Sequence, residues 1–205
     1  MKDDDQIISG FDDSAFNEPP FAIDFTNATP INGSGSTCDT YLCTVQHRRV
    51  FVKRLKAQYR NNPLYRAAFS KEYDLGLSLS HQSLPRYVGH GDDYIVTDFI
   101  EGDTLAALIK RGDRRVSDRK HAKKLIAELI DVVEYLHNRN IVHCDIKPDN
   151  IIISPYPDRP ITLIDLDKAF SPWLDSTHGD TSKYGCNDCA DGSIDFKGIG
   201  LIAHK

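Results

Sequence analysis

The residues best able to do chemistry lie in one eight-residue stretch, His143 to Asn150, which reads HCDIKPDN. It falls between a long segment with helical apolar spacing and the triple isoleucine Ile151-Ile152-Ile153. Twenty residues after Asp145, a second carboxylate, Asp165, stands at the end of an apolar run in LIDLD. Magnesium prefers hard oxygen ligands and usually takes one or two carboxylates beside phosphate and water. Asn150 and Asp165 supply such oxygens. Asp145 is a separate carboxylate, able to orient a hydroxyl and accept its proton. Lys147, two residues on in an extended loop, points to the same side and can neutralise a migrating phosphoryl group. This set suits phosphoryl transfer, where positioning and charge stabilisation matter more than covalent chemistry.

Several elements must hold those residues in place. Ser117-Asp118 can cap a helix running to about Arg139. Its Ala122, Leu125, Ile126, Leu129, Val133 and Leu136 recur at spacings that make one buried stripe. Asn138 and Asn140 mark its end, and residues 101–140 read as helical. Ile151–Ile153 and Ile161–Leu166 read as a hairpin across SPYPDRP. Upstream, residues 21–100 alternate short strand-like runs with turns. Phe21–Phe25, Val50–Val52, Tyr87-Val88 and Tyr94–Thr97 are the expected strands. Pro63–Leu79 is the expected helix, with proline at its start. A mostly β half thus precedes a helix-led half, α+β in class, with the link near Asp98 to Gly102. No internal repeat is visible.

With these segments in order, HCDIKPDN resembles the protein-kinase catalytic loop HRDxKxxN, and LIDLD resembles the strand that carries the DFG triplet. Lys53, in VFVKRL, stands where that family has the strand lysine of VAIK. Glu72, 19 residues later, stands where it has the glutamate that pairs with the lysine. Tyr94 to Leu105 (YIVTDFIEGDTL) is similar to the strand, hinge and following helix start. By that match Thr97 is the gatekeeper, and Asp98, Phe99 and Ile100 offer hinge backbone groups to adenine. Gly33 and Gly35, in INGSGSTCDTY, match the first two glycines of GxGxxG, with Cys38 in the place of the third. Glycine there lets backbone approach phosphates closely. Asp195 to Gly200 (DFKGIG) resembles the start of the helix beneath the catalytic loop, whose aspartate holds the loop backbone.

The resemblance covers about residues 21–205. It implies a two-lobed α+β kinase fold: an acidic arm over 1–20, an N-lobe over 21–101 and a shortened C-lobe over 102–205. It implies ATP and Mg²⁺ as cofactors. Lys53 would hold the α- and β-phosphates, positioned by Glu72. Asp145 would orient the acceptor hydroxyl, Lys147 would contact the γ-phosphoryl group, and Asn150 and Asp165 would bind the metal. The expected acceptor is a serine or threonine of a protein.

Departures from the pattern are specific. Cys144 replaces the arginine of HRD, which in the family answers a phosphorylated activation loop, so activation without such a phosphate is expected. Asp167 replaces the glycine of DFG, with a structural role expected ahead of a metal role and Lys168 as its simple ion-pair partner. DLDK is also similar to a segment of small bacterial kinases that phosphorylate lipopolysaccharide sugars, which makes a lipid-sugar or small-molecule kinase the alternative. A silent nucleotide-binding pseudokinase scaffold is the other alternative. Thr181, Ser182 and Tyr184 are candidate phosphorylation sites, and no APE triplet follows them. The chain stops about ten residues into the Asp195 helix. Ile199, Leu201 and Ile202 are therefore expected to lose their usual cover, leaving a dimer or partner contact plausible there.

Composition bounds the remaining classes. The chain has 205 residues, 40% hydrophobic and 27% charged, which fits one globular domain or two small lobes sharing a core. No apolar run is long enough for a membrane span, and the N-terminus lacks a secretory pattern. A net charge of -5 argues against a general nucleic-acid binder. Asp3, Asp4, Asp5, Asp12, Asp13, Glu18 and Asp24 against Lys2 make the N-terminus an acidic, solvated arm. The basic residues Lys110, Arg111, Arg114, Arg115, Arg119, Lys120, Lys123 and Lys124 read as a solvated face. Five cysteines without a secretory signal suggest reduced thiols and a cytoplasmic location, and the single Cys186-Asn-Asp-Cys189 is too few ligands for structural zinc.

Overall fold

A computed structural model describes residues 22–31, 35, 37–156, 161–173 and 192–203. Five strands form the first sheet: β1 (Thr29–Pro30), β2 (Cys38–Val45), β3 (Arg48–Leu55), β4 (Tyr87–His90) and β5 (Tyr94–Asp98). Their order is β1-β2-β3-β5-β4, antiparallel throughout. Helix α1 (Pro63–Leu77) lies between β3 and β4 in sequence. Its start is fixed locally. The Asn62 side chain accepts from the Leu64 N–H, and Pro63 has no N–H to leave unsatisfied.

The strand β2 is absent from the sequence expectations. It is joined to β3 by a two-residue turn, Gln46-His47, with φ of 47° and 66°. Such positive angles suit the right-handed twist of a hairpin, and Asn-Gly or Asp-Gly is the usual composition. Phe21–Phe25, in contrast, gives no strand in its described part. A 3₁₀ turn occupies Phe25–Asn27, because Asp24 accepts from the Thr26 N–H and hydroxyl and from the Asn27 amide. Local side-chain acceptors of this kind compete with strand pairing.

Strand periodicity decides where Lys53 points. Val50 and Val52 share one face of the sheet with Cys43, Val88 and Val96, covered by Ile23, Phe25, Tyr41 and Tyr94. Leu55 faces the other way, into the core that includes Phe69 and Leu75 of α1. Alternation puts Lys53 on that second face, toward α1.

The helical part begins after β5. Gly102 has φ +150°, and a Cβ there would lie 2.4 Å from the Ile153 carbonyl oxygen, so the linking segment requires glycine. The segment 101–140 is not one helical stretch. Asp103–Thr104 forms β6, followed by α2 (Leu105–Lys110), α3 (Arg114–Ser117) and α4 (Arg119–His137). Asp118 caps α4 by accepting from the Lys120 and His121 N–H groups. Leu129, Val132, Val133 and Leu136 are buried, while Leu125 and Ile126 are only partly so. The expected hairpin is present as β7 (Ile151–Ile153) and β8 (Ile161–Leu163), and β6 adds to it as a third strand. Within the basic cluster, Arg111 and Arg115 clamp Asp103 and Asp113.

Helix α5 (Ser193–Ala203) closes the described chain. Ile199 is buried in the main core, which corrects the expectation that it lacks cover. Residues four apart share a helix face, so Asp195 and Ile199 turn inward and Leu201, 71% exposed, turns out. Gly198 makes the close approach possible, since a Cβ there would sit 2.7 Å from the Ile146 carbonyl oxygen. Gly198→Ala should lower stability by about 1–3 kcal/mol through overpacking. The urea unfolding midpoint reads this directly, and an unchanged midpoint would mean that α5 does not press on the loop. Among the described residues no helix is long and apolar enough to cross a membrane.

Candidate active site

The site lies where the sheet face bearing Lys53 meets the loops after α4 and β8. Lys53 Nζ donates to Glu72 Oε2 at 2.8 Å and to Asp165 Oδ1 at 2.7 Å. One cation thus bridges strand β3, helix α1 and the loop after β8. Burial opposes the ammonium form, but Glu72 and Asp165 outweigh it and hold Lys53 well above its ordinary value. Burial pushes Glu72 up to about 7, with Lys53 pulling in the opposite direction. Asp165 lies below its ordinary value because the attraction of Lys53 exceeds the cost of burial. Tyr87 donates its hydroxyl to Glu72 Oε1 at 3.4 Å. No spacing signal in the sequence links Tyr87 to Glu72, because β4 and α1 meet only through the fold.

The loop His143–Asn150 is held from below by Asp195, whose side chain is fully buried. Its carboxylate accepts from the His143 N–H at 2.8 Å, the Cys144 N–H at 2.9 Å and His137 Nε2 at 2.9 Å. Cys144 adopts φ +62°, a left-handed conformation that costs a non-glycine residue about 1–2 kcal/mol. The bond from its N–H to Asp195 helps hold it there. His143 is buried, and burial lowers its pKa, keeping the ring neutral. Its Nδ1 accepts from the Asp145 N–H at 3.3 Å and its Nε2 donates to the Ile164 carbonyl at 3.2 Å. The histidine therefore ties the loop to the strand end that carries Asp165. Asp165 also has a left-handed backbone, φ +70°. Strained residues of this kind cluster where a structure fixes a functional geometry.

Asp145 Oδ2 collects three donors: Lys147 Nζ at 2.7 Å, Lys168 Nζ at 3.1 Å and Asn150 Nδ2 at 3.1 Å. Burial would raise its pKa, but the two lysines overcome that and lower it. The Lys168 contact differs from the expected Asp167–Lys168 pair. The two residues sit at the centre of a turn closed by Ala169 N–H to Leu166 C=O at 3.0 Å, and that turn carries Lys168 across to Asp145. Asp145, Asp165 and Asp167 each bring a carboxylate oxygen within 4.8 Å of one another. Asn150 commits its amide nitrogen to the Asp145 carbonyl and carboxylate, which leaves its Oδ1 as an acceptor without a donor among the described residues. An all-oxygen donor set fits a hard divalent cation such as Mg²⁺.

At the chain link, Thr97 and Asp98 end β5. The Asp98 N–H is spent on the Arg86 carbonyl and the Phe99 N–H on that of Arg49. The Ile100 N–H has no partner among the described residues. The Asp98 side chain pairs with Arg48 at 2.9 Å and Arg86 at 3.3 Å, which fixes the strand end. Gly35 is exposed and its carbonyl accepts from Lys56 Nζ at 2.8 Å. Gly33 lies outside the described residues, as do Thr181, Ser182, Tyr184, Cys186 and Cys189. Cys38 and Cys43 are buried free thiols.

Comparison with known proteins gives a consistent picture. The family model described as protein kinase domain matches residues 27–177. The serine/threonine-protein kinase PknA of Nostoc sp. is 34% identical over 145 residues, 64% of this chain and 25% of that protein. PknF of Mycobacterium tuberculosis, also a serine/threonine-protein kinase, is 29% identical over 160 residues, 73% of this chain and 33% of that protein. The probable serine/threonine-protein kinase YbdM of Bacillus subtilis is 30% identical over 139 residues, 65% of this chain and 53% of that protein. The chain thus spans from about a quarter to about half the length of these curated relatives.

Proposed function

The chain belongs to the protein kinase family, and from that premise we propose that it transfers the γ-phosphoryl group of ATP to a serine or threonine hydroxyl of a protein. The observation that carries this reading is the double bridge of Lys53 to Glu72 and Asp165, set beside the Asp145–Lys147–Asn150 cluster. Supporting it, the relatives above are named serine/threonine-protein kinases.

In this mechanism adenine docks on the link, with backbone groups of Asp98 and Ile100 as its partners and Thr97 behind it. Gly33 and Gly35 let the preceding loop approach the phosphates. Lys53 holds the α- and β-phosphates, and Glu72 keeps the ammonium aimed. Asn150 and Asp165 would hold Mg²⁺, which when bound neutralises phosphate charge. Asp145 accepts a hydrogen bond from the acceptor hydroxyl and aligns its oxygen with the γ-phosphorus. The new O–P bond forms as the bond from phosphorus to the bridging oxygen of ADP breaks, and the hydroxyl proton passes to Asp145. In a loose transition state the hydroxyl proton is lost late, so Asp145 orients the acceptor first and takes its proton afterwards. Lys147 neutralises charge on the moving group.

The acceptor is tested by offering the purified chain γ-labelled ATP and Mg²⁺ with a generic protein mixture and, separately, a lipid-sugar extract. Acid-stable phosphoserine or phosphothreonine in the protein fraction is expected. Label confined to the lipid-sugar fraction would replace the protein reading with that of a lipid-sugar kinase.

A further inference from the structure

We propose that Lys168 is a second catalytic cation, contacting the terminal phosphate of the nucleotide opposite Lys147. This rests on the phosphotransferase reading and deepens it, because the motif matched above supplies only Lys147 at this place.

The geometry is built rather than incidental. Lys168 sits in the turn Leu166–Ala169, whose two end residues are buried at 2% and 1% exposure. The chain beyond the turn is bound to the loop that bears Asp145. Phe170 N–H donates to the Val142 carbonyl at 2.8 Å, and Val142 N–H donates back to that of Phe170 at 3.0 Å. A short rigid turn thus carries Lys168 to Asp145 Oδ2, 3.1 Å away. It does so although Asp167, the adjacent carboxylate, is nearest in sequence. A glycine at position 167 would leave this turn freer; Asp167 takes that freedom away.

The charges say what the lysine is for. Lys53 is already saturated by two carboxylates. Lys147 and Lys168 share a single oxygen of Asp145, two ammonium groups on one carboxylate. Their side chains are 43% and 46% exposed, so both remain accessible to an incoming anion. An ammonium is a compact point charge with three rotatable donors, suited to a phosphoryl group whose oxygens gain charge as it moves. When an anionic phosphate enters this space, both lysines can turn to it and leave Asp145 free for the acceptor hydroxyl.

The test compares wild type with Lys168→Met and Lys168→Arg. Two readouts are needed: the binding constants of ATP and ADP by calorimetry, and kcat for label transfer. A charge-assisted contact to the terminal phosphate should be worth about ten- to a hundredfold. Lys168→Met should therefore lose about tenfold in its preference for ATP over ADP and lower kcat by a similar or larger factor. Lys168→Arg, which keeps the charge, should recover most of the ATP preference. An unchanged ATP-to-ADP ratio in Lys168→Met would overturn the proposal, and a rise in kcat would make Lys168 a plug on Asp145 instead. If wild type binds ATP but transfers nothing, the phosphotransferase reading fails while the affinity ratio still decides whether Lys168 meets the terminal phosphate. If wild type binds neither nucleotide, both fall.

Discussion

Asp145→Asn should reduce phosphoryl transfer by about 10²–10⁴-fold while leaving the ATP dissociation constant within a few-fold of wild type. The substitution keeps the side chain's size and its ability to accept from Asn150 and from the lysines. It removes the negative charge that makes the acceptor oxygen line up and take leave of its proton. Lys147 and Lys168 would then have no carboxylate between them, so the chain should lose rate at the chemical step, not nucleotide contact. Single-turnover quench measurements with γ-labelled ATP separate the two. Loss of binding in parallel with rate would mean that Asp145 holds the loop together rather than serving the acceptor.

Lys53→Met should cost about 3–5 kcal/mol of stability, because breaking a buried ion pair leaves uncompensated charge. Glu72 is 4% exposed and would face Asp165 without the ammonium between them. The pH dependence follows in sign. Glu72 stands at about 7 in the folded chain against an ordinary 4.5. A carboxylate raised on folding loses stability as pH rises from its unfolded value through its folded one. Removing Lys53 takes away its largest source of relief, so Glu72 moves higher still. The deficit of Lys53→Met relative to wild type should therefore be largest near pH 8 and shrink toward pH 5. Chemical denaturation at both pH values measures it. A deficit that is constant, or that grows on acidification, would mean that Glu72 is not the buried carboxylate left unpaired.

Much of this arrangement is legible in the residues because the informative ones are local. HCDIKPDN and LIDLD carry their chemistry in consecutive positions, and α1 and α4 announce themselves through Pro63, Asp118 and apolar spacing. Asp195 was reachable for the same reason, since DFKGIG is contiguous. The strand β2 was not, because its turn uses Gln46-His47 in place of a glycine pair. The stretch Phe21–Phe25 misled through its aromatic content, which the Asp24 acceptor overrides. Two long-range contacts had no sequence signal at all. Tyr87 meets Glu72 only once β4 packs on α1. Lys168 reaches Asp145 only because a turn rotates it past its neighbour Asp167.

The most direct test uses the unaltered chain in a single turnover. The protein, Mg²⁺ and stoichiometric γ-labelled ATP are mixed with a protein acceptor and quenched over a time course. Label should leave the nucleotide and appear as acid-stable phosphoserine or phosphothreonine, with ADP formed in equal amount. Saturable ATP binding with all label still on the nucleotide at the last time point would contradict it.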